Sequence, residues 1–259
     1  MVPFRALTLL VVLFLAPAAL AGPRVLILWD VRNEQTRALA TSLTNSGAEV
    51  VFSDTSGPGF NGDNPSLKTF DVVVHLNGTT WQSDMPLSGQ RALVRFVENG
   101  GGYLHHEWNA YQLSVGQLQA LRPLILFDRS SGYSGDIQLQ RVESAKVHPV
   151  IWEVPKTFTM TGGCNVGHVH VFDEEPSVVL ARDAQGNDAI AVREHGFGRI
   201  VGFHHGGNWS YSVPGALMNS NEARRMFVDG VRWAYGCDPT FREGRREKMC
   251  VEIAKRKGK

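Results

Sequence analysis

The sequence predicts a doubly wound α/β domain, with a mostly parallel sheet, helices on both faces and an antiparallel β extension. Two observations favour this fold. Through the first half of the chain, short apolar runs alternate with segments of helical periodicity, as in parallel sheets that are buried on both faces. After about Gly132 the pattern changes to short strands separated by hairpin-like turns, which adds the antiparallel part.

The first half supplies the parallel strands and two helices. Asn33 can cap a helix that carries Leu39 and Leu43 on one face, and Gly47 ends it. The second helix has Leu93 on its apolar side and ends at three consecutive glycines. Strands are predicted at residues 24–29, 48–52, 71–76 and 103–106, helices from Asn33 to Gly47 and at 86–99, and a surface loop at 57–66.

The second half supplies shorter strands and a closing helix. Turn residues at 183–187 and 195–198 separate strands as in hairpins. Strands are predicted at residues 136–142, 156–160, 178–182, 189–193 and 199–203, and a helix at 221–235. No internal repeat or long linker divides the chain, so residues 22–237 are predicted to form one domain.

The N-terminus has the features of a secretory signal. Arg5 precedes an apolar run of about 15 residues, and Ala19-Leu20-Ala21 provides a cleavage site of the A-x-A kind. This run is short for a membrane span, although a retained anchor is the alternative. We therefore expect residues 1–21 to be removed after Ala21, leaving a secreted or periplasmic protein without stable membrane insertion.

The charge distribution bears on partners. The formal net charge is +1, which argues against a nucleic-acid partner. Residues 238–259 form a basic C-terminal tail with eight Lys or Arg and four Asp or Glu. Such a tail is usually a solvated end, and an anionic partner is the alternative. The sequence does not specify an oligomeric state.

Three cysteines are present. Export permits disulfides, and Cys237 and Cys250 are the pair that closes most easily. We expect them to be joined, with Cys164 left reduced.

Histidines give the best indication of where the chemistry lies. Six of the nine lie in three short groups, two of which follow a predicted strand. In open α/β sheets, ligands bind outside the carboxyl ends of the strands. The groups are His105-His106, His168 with His170, and His204-His205.

Five ordered blocks of the chain resemble the ThuA-like (trehalose-utilisation) family. They are residues 70–74, 93–103, 148–150, 198–200 and 231–234, and together they span nearly all of the mature chain. This family belongs to the class I glutamine amidotransferase-like superfamily. The resemblance therefore implies a flavodoxin-like sheet and a carbohydrate-related function, with a small, sugar-like molecule as the partner.

The chain departs from the superfamily at the turn after the fourth strand. Amidotransferases carry a nucleophilic cysteine there, whereas this chain has Glu107, preceded by His105 and His106. Without a thiol at this turn, glutamine hydrolysis is not expected.

Glu107 is instead a candidate general base or metal ligand. His106, His204 and His205 are the candidate acid–base partners or fellow ligands. If the two strands are neighbours, as family topology implies, their ends lie roughly 5 to 10 Å apart. Imidazoles and a carboxylate at that separation suit a divalent ion such as Zn²⁺, but the spacing matches no strong linear motif. Separate structural histidines are the alternative.

Several residues near the strand ends are candidates for ligand binding. Asp30 and Asn77 follow the first and third strands, where polar groups bind ligands or cap helices. Aromatic rings beside polar groups suit stacking on sugars, although tryptophan is also common in cores. The predicted ligand-binding residues are Asp30, Asn77, Trp108, Asn208 and Trp209.

Together these observations predict an exported protein that binds or transforms a carbohydrate or sugar derivative at the carboxyl edge of the sheet. As an enzyme it would be a hydrolase or isomerase using Glu/His acid–base or metal chemistry. A non-catalytic binding module of the same fold is the alternative. If the histidine groups form one site, Glu107, His106 and one of His204 or His205 converge on a single pocket.

Overall fold

A single nine-stranded sheet organises the computed structural model, which describes residues 22–206 and 220–236. Its order within these residues is β2-β1-β3-β4-β9-β8-β7-β5-β6. The strands are β1 Arg24–Leu28, β2 Glu49–Phe52, β3 Val72–His75, β4 Gly102–His105, β5 Phe127–Arg141, β6 Thr157–Val171, β7 Val178–Asp183, β8 Asp188–His195 and β9 Gly198–Phe203.

The predicted fold class is confirmed. Strands β2, β1, β3, β4 and β9 are parallel, and β8, β7, β5 and β6 continue the sheet in antiparallel pairs. The expected neighbours β4 and β9 pair directly, with His105 opposite Gly202. The parallel strands therefore end at one common edge, called the carboxyl edge below.

Helices cover both faces of the sheet. Asn33 caps the first helix as predicted, since its side chain accepts from the Thr36 backbone N–H at 3.0 Å. Leu39 and Phe227 lie in one core, and Leu93 lies in the core on the other face. The helices are α1 Glu34–Asn45, α2 Leu87–Glu98, α3 Glu107–Ser114 and α4 Asn221–Tyr235.

Two regions differ from the prediction. Helix α3 was not predicted, because its residues show no pronounced apolar face. Strands β5 and β6 have 15 residues each and form a long two-stranded ribbon, called the ribbon below. Its Ser/Gly-rich part lacks the apolar alternation that marks a strand, and it is extended because its backbone pairs with β6.

Several predictions fall outside the described residues. They are the signal segment 1–21, the basic tail 238–259, the Cys237–Cys250 disulfide, Asn208 and Trp209. Among the described residues, no helix combines the length and apolar character needed to cross a membrane.

Candidate functional site

At the carboxyl edge, the ribbon folds back onto the chain that follows β9. The Gly167 N–H donates to the His204 carbonyl at 2.7 Å, and the Gly206 N–H donates to the Asn165 carbonyl at 2.7 Å. Helix α3, which begins directly after β4, contacts both strands of the ribbon. The ends of β4 and β9 are thus enclosed by α3 on one side and by the ribbon on another.

Glu107 is the first residue of α3 and is only 1% exposed. Its Oε1 accepts from Arg129 Nε at 2.6 Å, while its Oε2 is buried without a hydrogen-bond partner among the described residues. Gly167 lies against this side chain, since a Cβ there would be 3.2 Å from Glu107 Cγ. A glycine on β6 therefore leaves room for a buried carboxylate with one oxygen unused.

Burial raises the pKa of Glu107, and the charge and hydrogen bond of Arg129 only partly oppose this. The net direction is upward, so this carboxylate takes up a proton more readily than an exposed glutamate. A raised pKa makes this carboxylate a stronger base, which suits the role of a general acid–base residue.

His106 is the neighbouring candidate and caps α3. Its Nε2 accepts from the Asn77 backbone N–H at 3.1 Å, which assigns the ring proton to Nδ1. This Nδ1 is buried and has no partner in the described part of the chain. Burial, followed by the nearby His75, His105 and His205, holds the pKa of His106 well below its usual range. His106 is therefore a neutral hydrogen-bond donor.

Three half-buried aromatic rings lie beside these groups. The Trp81 and Trp108 rings stack at 6.4 Å between centroids, and Tyr111 meets them edge-on at 5.6 and 5.3 Å respectively. The Arg129 guanidinium lies 4.8 Å from the Tyr111 ring centroid. We call Trp81, Trp108 and Tyr111 the aromatic platform, and together with Glu107, His106 and Arg129 they form the cleft cluster.

Asp30 and Asn77 hold the loop that carries Trp81. Asp30 Oδ2 accepts from the backbone N–H groups of Thr79 and Thr80. Asn77 Oδ1 accepts from the Gly78 N–H at 2.8 Å and from the Thr80 hydroxyl at 3.1 Å. These bonds give both residues a structural role, and their binding of a ligand stays a prediction.

Sequence reasoning missed two residues of this region. Gln112 joins α3 to the loop after β3, because its Nε2 donates to the Ser83 carbonyl at 3.0 Å while its Oε1 accepts from Asn77. Arg129 lies 22 positions from Glu107, in a polar stretch that carries no motif. The only available signal for Arg129 was a lone cation among small polar residues.

His204 lies in a different cluster from Glu107. Its Nε2 is 3.4 Å from Asp183 Oδ2, and the ring is fully buried. Asn187 links His168 to this pair, since its Nδ2 lies 3.3 Å from His168 Nδ1 and donates to Asp183 Oδ2 at 2.7 Å. Because successive β6 residues point to opposite faces, His168 faces away from the side on which Gly167 contacts Glu107. His204 is thus paired with Asp183, and its convergence with Glu107 stays a prediction.

His204 and three residues near it form what we call the ribbon cluster. Asp183 Oδ1 accepts from the backbone N–H groups of Gln185 and Asn187 at 2.9 Å, and its Oδ2 accepts from Asn187 Nδ2 at 2.7 Å. Burial alone would raise the pKa of Asp183, but hydrogen bonds from His204 and Asn187 outweigh it and hold the pKa below its usual range. The ribbon cluster comprises Asp183, Asn187, His168 and His204.

His205 packs between the end of β9 and α4. Its ring meets Phe203 at 5.7 Å and Phe227 at 6.1 Å between centroids. Burial, and then the neighbouring His204, lower its pKa to about 3, so the ring is neutral. It influences the pKa of His106, and its two ring nitrogens have no partner among the described residues. His205 thus stays close to the cleft cluster.

The remaining predicted groups are placed more simply. His75 is a core residue, as expected, with its Nδ1 2.8 Å from the Tyr103 hydroxyl. His105 Nε2 accepts from the Leu126 N–H at 3.0 Å, a structural contact.

Within residues 22–206 and 220–236, no three His, Cys, Asp or Glu side chains are arranged to hold a metal ion. The predicted Zn²⁺ ligand set is therefore not assembled by these residues.

A cavity of about 800 Å³ lies at the opposite edge of the sheet, near Arg24, Asp71 and Gly101. Its described polar lining groups include ion-paired side chains such as Arg24 with Glu49. The buried polar atoms without partners at Glu107 and His106 lie at the carboxyl edge instead. We place the candidate site there, because unsatisfied buried groups call for a ligand and volume alone does not.

Comparison with known proteins shows the same fold. A ThuA-like protein from Parabacteroides merdae superposes with a TM-score of 0.64 at 15% identity, covering 86% of this chain and 94% of its own. A ThuA-like protein from Bacteroides uniformis gives 0.61 at 14% identity, with 88% and 97% covered. A cytoplasmic protein from Salmonella typhimurium gives 0.59 at 13% identity, with 82% and 98% covered.

No protein-family model matches the sequence, and no curated protein matches it either. At these identities the structural likeness establishes the fold alone. This protein therefore has the fold of ThuA-like proteins, which is the fold that the sequence resemblance predicted.

Proposed function

We propose that this protein is a member of the ThuA-like family that binds a carbohydrate or sugar derivative in the cleft and transforms it by acid–base chemistry. The observation that carries the proposal is a set of buried polar atoms without partners beside the aromatic platform. Among the described residues these atoms are Glu107 Oε2, His106 Nδ1 and Asn109 Nδ2.

Physical chemistry favours a hydroxyl-rich ligand for these groups. An unsatisfied buried donor or acceptor costs about 1–3 kcal/mol, a cost that ligand hydroxyls would remove. Glu107 Oε2 can accept, while His106 Nδ1–H and Asn109 Nδ2–H can donate. The flat faces of Trp81 and Trp108 suit the apolar face of a sugar ring.

In the proposed chemistry, Glu107 is the general base. Its Oε2 accepts a proton from the substrate and, because burial raises the pKa of Glu107, can return it in a later step. His106 donates a hydrogen bond from Nδ1 to a substrate oxygen that gains negative charge. Both residues stand at the start of α3, so one short element supplies the base and the oxygen-binding donor.

For the cleft cluster we propose isomerisation in preference to glycoside hydrolysis. Glycosidases use two carboxyl groups on either side of the scissile bond. Glu107 is the carboxylate of the cleft cluster, whereas Asp30 Oδ2 accepts from the backbone N–H groups of Thr79 and Thr80 and holds the loop that carries Trp81. The segment 207–219 contains no Asp or Glu. A single carboxylate suits proton transfer between neighbouring carbons or oxygens of a sugar.

One observation favours the alternative, a non-catalytic binding module. Glu107 is already paired with Arg129, and such a pair can serve as a fixed recognition element. The two functions differ in one measurement, turnover of a bound sugar in wild type and in Glu107→Gln. Enzymatic function predicts turnover that the variant loses, whereas a binding module converts no sugar in either form.

The experiment is a screen of monosaccharides and disaccharides, including trehalose. Binding would be measured by calorimetry and conversion by proton NMR of the sugar. Binding of none of them by wild-type protein would contradict the proposal.

We also propose that the protein is exported and begins at Gly22. The support is the A-x-A site at Ala19–Ala21 after an apolar run. Expression of the full chain in a bacterium, followed by intact-mass measurement of the periplasmic and cytoplasmic fractions, would test this. A cytoplasmic product that retains residues 1–21 would contradict it.

A further inference from the structure

We infer that Arg129 is a positioning residue: it holds Glu107 by one carboxylate oxygen so that the other oxygen faces the ligand. This inference rests on the proposed function and assigns a role to a residue on the ribbon, outside the parallel part of the sheet.

The contact itself is strong and shielded. Arg129 Nε lies 2.6 Å from Glu107 Oε1, and the two side chains are 13% and 2% exposed. Charged hydrogen bonds of this length are roughly twice as strong as neutral ones. With Oε1 engaged and Oε2 free of partners among the described residues, the carboxylate has one defined orientation.

The ribbon is shaped to deliver Arg129 to this position. The pairing of β5 with β6 shifts register between Arg129 and Ser131, as at a β-bulge. Bulges redirect side chains and often lie beside functional sites. Gly132 leaves space for the guanidinium, because a Cβ there would overlap Arg129 Nη2.

Arg129 also connects the carboxylate to the aromatic platform. Its guanidinium lies 4.8 Å from the centre of the Tyr111 ring while Nε holds Glu107. A cation over an aromatic face is attracted to it and loses freedom to turn. Base and platform are thus held at one fixed separation, as a catalytic group beside a binding surface requires.

The test is a double-mutant cycle on sugar binding, with a sugar that the wild type binds as the probe. The variants are Glu107→Gln, Arg129→Gln, the double variant, and Arg129→Lys. Arg193→Gln is the matched control. Arg193 is a buried arginine on another part of the sheet, and it pairs with Glu175. Dissociation constants come from calorimetry and melting temperatures from circular dichroism.

We expect Glu107→Gln and Arg129→Gln each to weaken binding about tenfold, and the double variant to bind no worse than either single variant. Arg129→Lys should recover only part of the loss, because an ammonium cannot reproduce the direction of the Nε–H bond. Arg193→Gln should lower the melting temperature while the dissociation constant stays within about twofold.

Additive losses in the double variant would overturn the inference, because Arg129 would then act on the ligand independently of Glu107. A loss in Arg129→Gln that Arg193→Gln reproduces would overturn it as well, since the effect would be general destabilisation. If wild-type protein binds no sugar, the proposed function itself fails, and this outcome is distinct from both.

Discussion

Two buried carboxylates, one in the cleft cluster and one in the ribbon cluster, are equally hidden from solvent and differently bonded. The side chains of Glu107 and Asp183 are each 2% exposed. Glu107 has one partner and one unused oxygen, and its pKa is raised. Both oxygens of Asp183 accept hydrogen bonds, and its pKa is lowered.

We interpret this difference as the one between a candidate functional group and a structural group. Asp183 holds the turn between β7 and β8, which its bonds to Gln185 and Asn187 close. Such a carboxylate stabilises the fold, because the hydrogen bonds that its charged form accepts in the protein offset the loss of its bonds to water. Glu107 Oε2 has no hydrogen-bond partner among the described residues, and we propose that a ligand binds there. The two carboxylates therefore differ in bonding and not in burial.

Replacing each carboxylate by its amide tests this comparison most directly. We expect Glu107→Gln to lower turnover of a converted sugar at least about a hundredfold, as for loss of a general base. Asp183→Asn should instead lower the free energy of unfolding by about 2–4 kcal/mol, because it breaks a buried network. Urea unfolding and NMR turnover assays would measure both effects. A variant of Asp183 that folds stably but loses turnover would contradict the distinction.

The pH dependence of stability should have opposite signs for the two groups. Because the pKa of Glu107 is raised, this residue contributes stability at pH values below its ordinary pKa of 4.5. That contribution is lost as the pH rises through its folded pKa. Because the pKa of Asp183 is lowered, this residue contributes stability at pH values above its ordinary pKa of 3.8. That contribution is lost as the pH falls toward its folded pKa. Each unit of pKa shift corresponds to about 1.4 kcal/mol.

The measurement is urea unfolding of wild type, Glu107→Gln and Asp183→Asn at several pH values between about 3 and 7. The stability difference between wild type and Glu107→Gln should fall with rising pH. The difference between wild type and Asp183→Asn should fall with decreasing pH at the acid end. Slopes of equal sign would show that the two carboxylates do not differ in the way their bonding indicates.

The aromatic platform provides a smaller effect confined to the cleft. We expect Trp108→Ala to weaken sugar binding by about 1–2 kcal/mol, through the loss of stacking area. Trp152→Ala is the control. Trp152 is 47% exposed and belongs to the segment of the chain that follows β5 and precedes β6. Calorimetry should show no change in affinity for the control. Equal losses in both variants would argue against a platform at Trp108.

Two glycines give the smallest expected effects. Gly167→Ala places a Cβ 2.8 Å from Val169 Cγ1 and 3.2 Å from Glu107 Cγ, so it should weaken binding several-fold by displacing the carboxylate. Gly186→Ala meets no atom within 4 Å but forces alanine to a φ of +87°. It should cost about 1 kcal/mol of stability and leave affinity unchanged. Calorimetry and urea unfolding distinguish the two results.

Much of the sheet could be predicted because local patterns decide it. The apolar runs at β1 and β3 are buried on both faces, and a run of this kind is typical of a central parallel strand. The cap at Asn33 and the helix at Asn221–Tyr235 also follow from local signals. The ribbon was predicted too short, because its exposed Ser/Gly-rich part is extended only through pairing with its partner strand.

The candidate site was predictable in part. Glu107 and His106 follow β4, and the end of a parallel strand is a position that the chain order itself implies. β4 and β9 are neighbours as expected, and the convergence of Glu107 with His204 or His205 stays a prediction. Strand neighbours bring backbones together, but the direction of each side chain depends on where the chain turns after the strand.

The sequence by itself determined the fold class, the place of Glu107 at the carboxyl edge and the lack of a thiol there, because these depend on residue type and on local order along the chain. Only the tertiary structure decided the partners. Arg129 reaches Glu107 across 22 positions because a register shift redirects it, and His204 joins Asp183 because β6 runs beside the end of β9. Contacts between distant segments depend on strand register, which the local pattern specifies only weakly in a polar, Ser/Gly-rich ribbon.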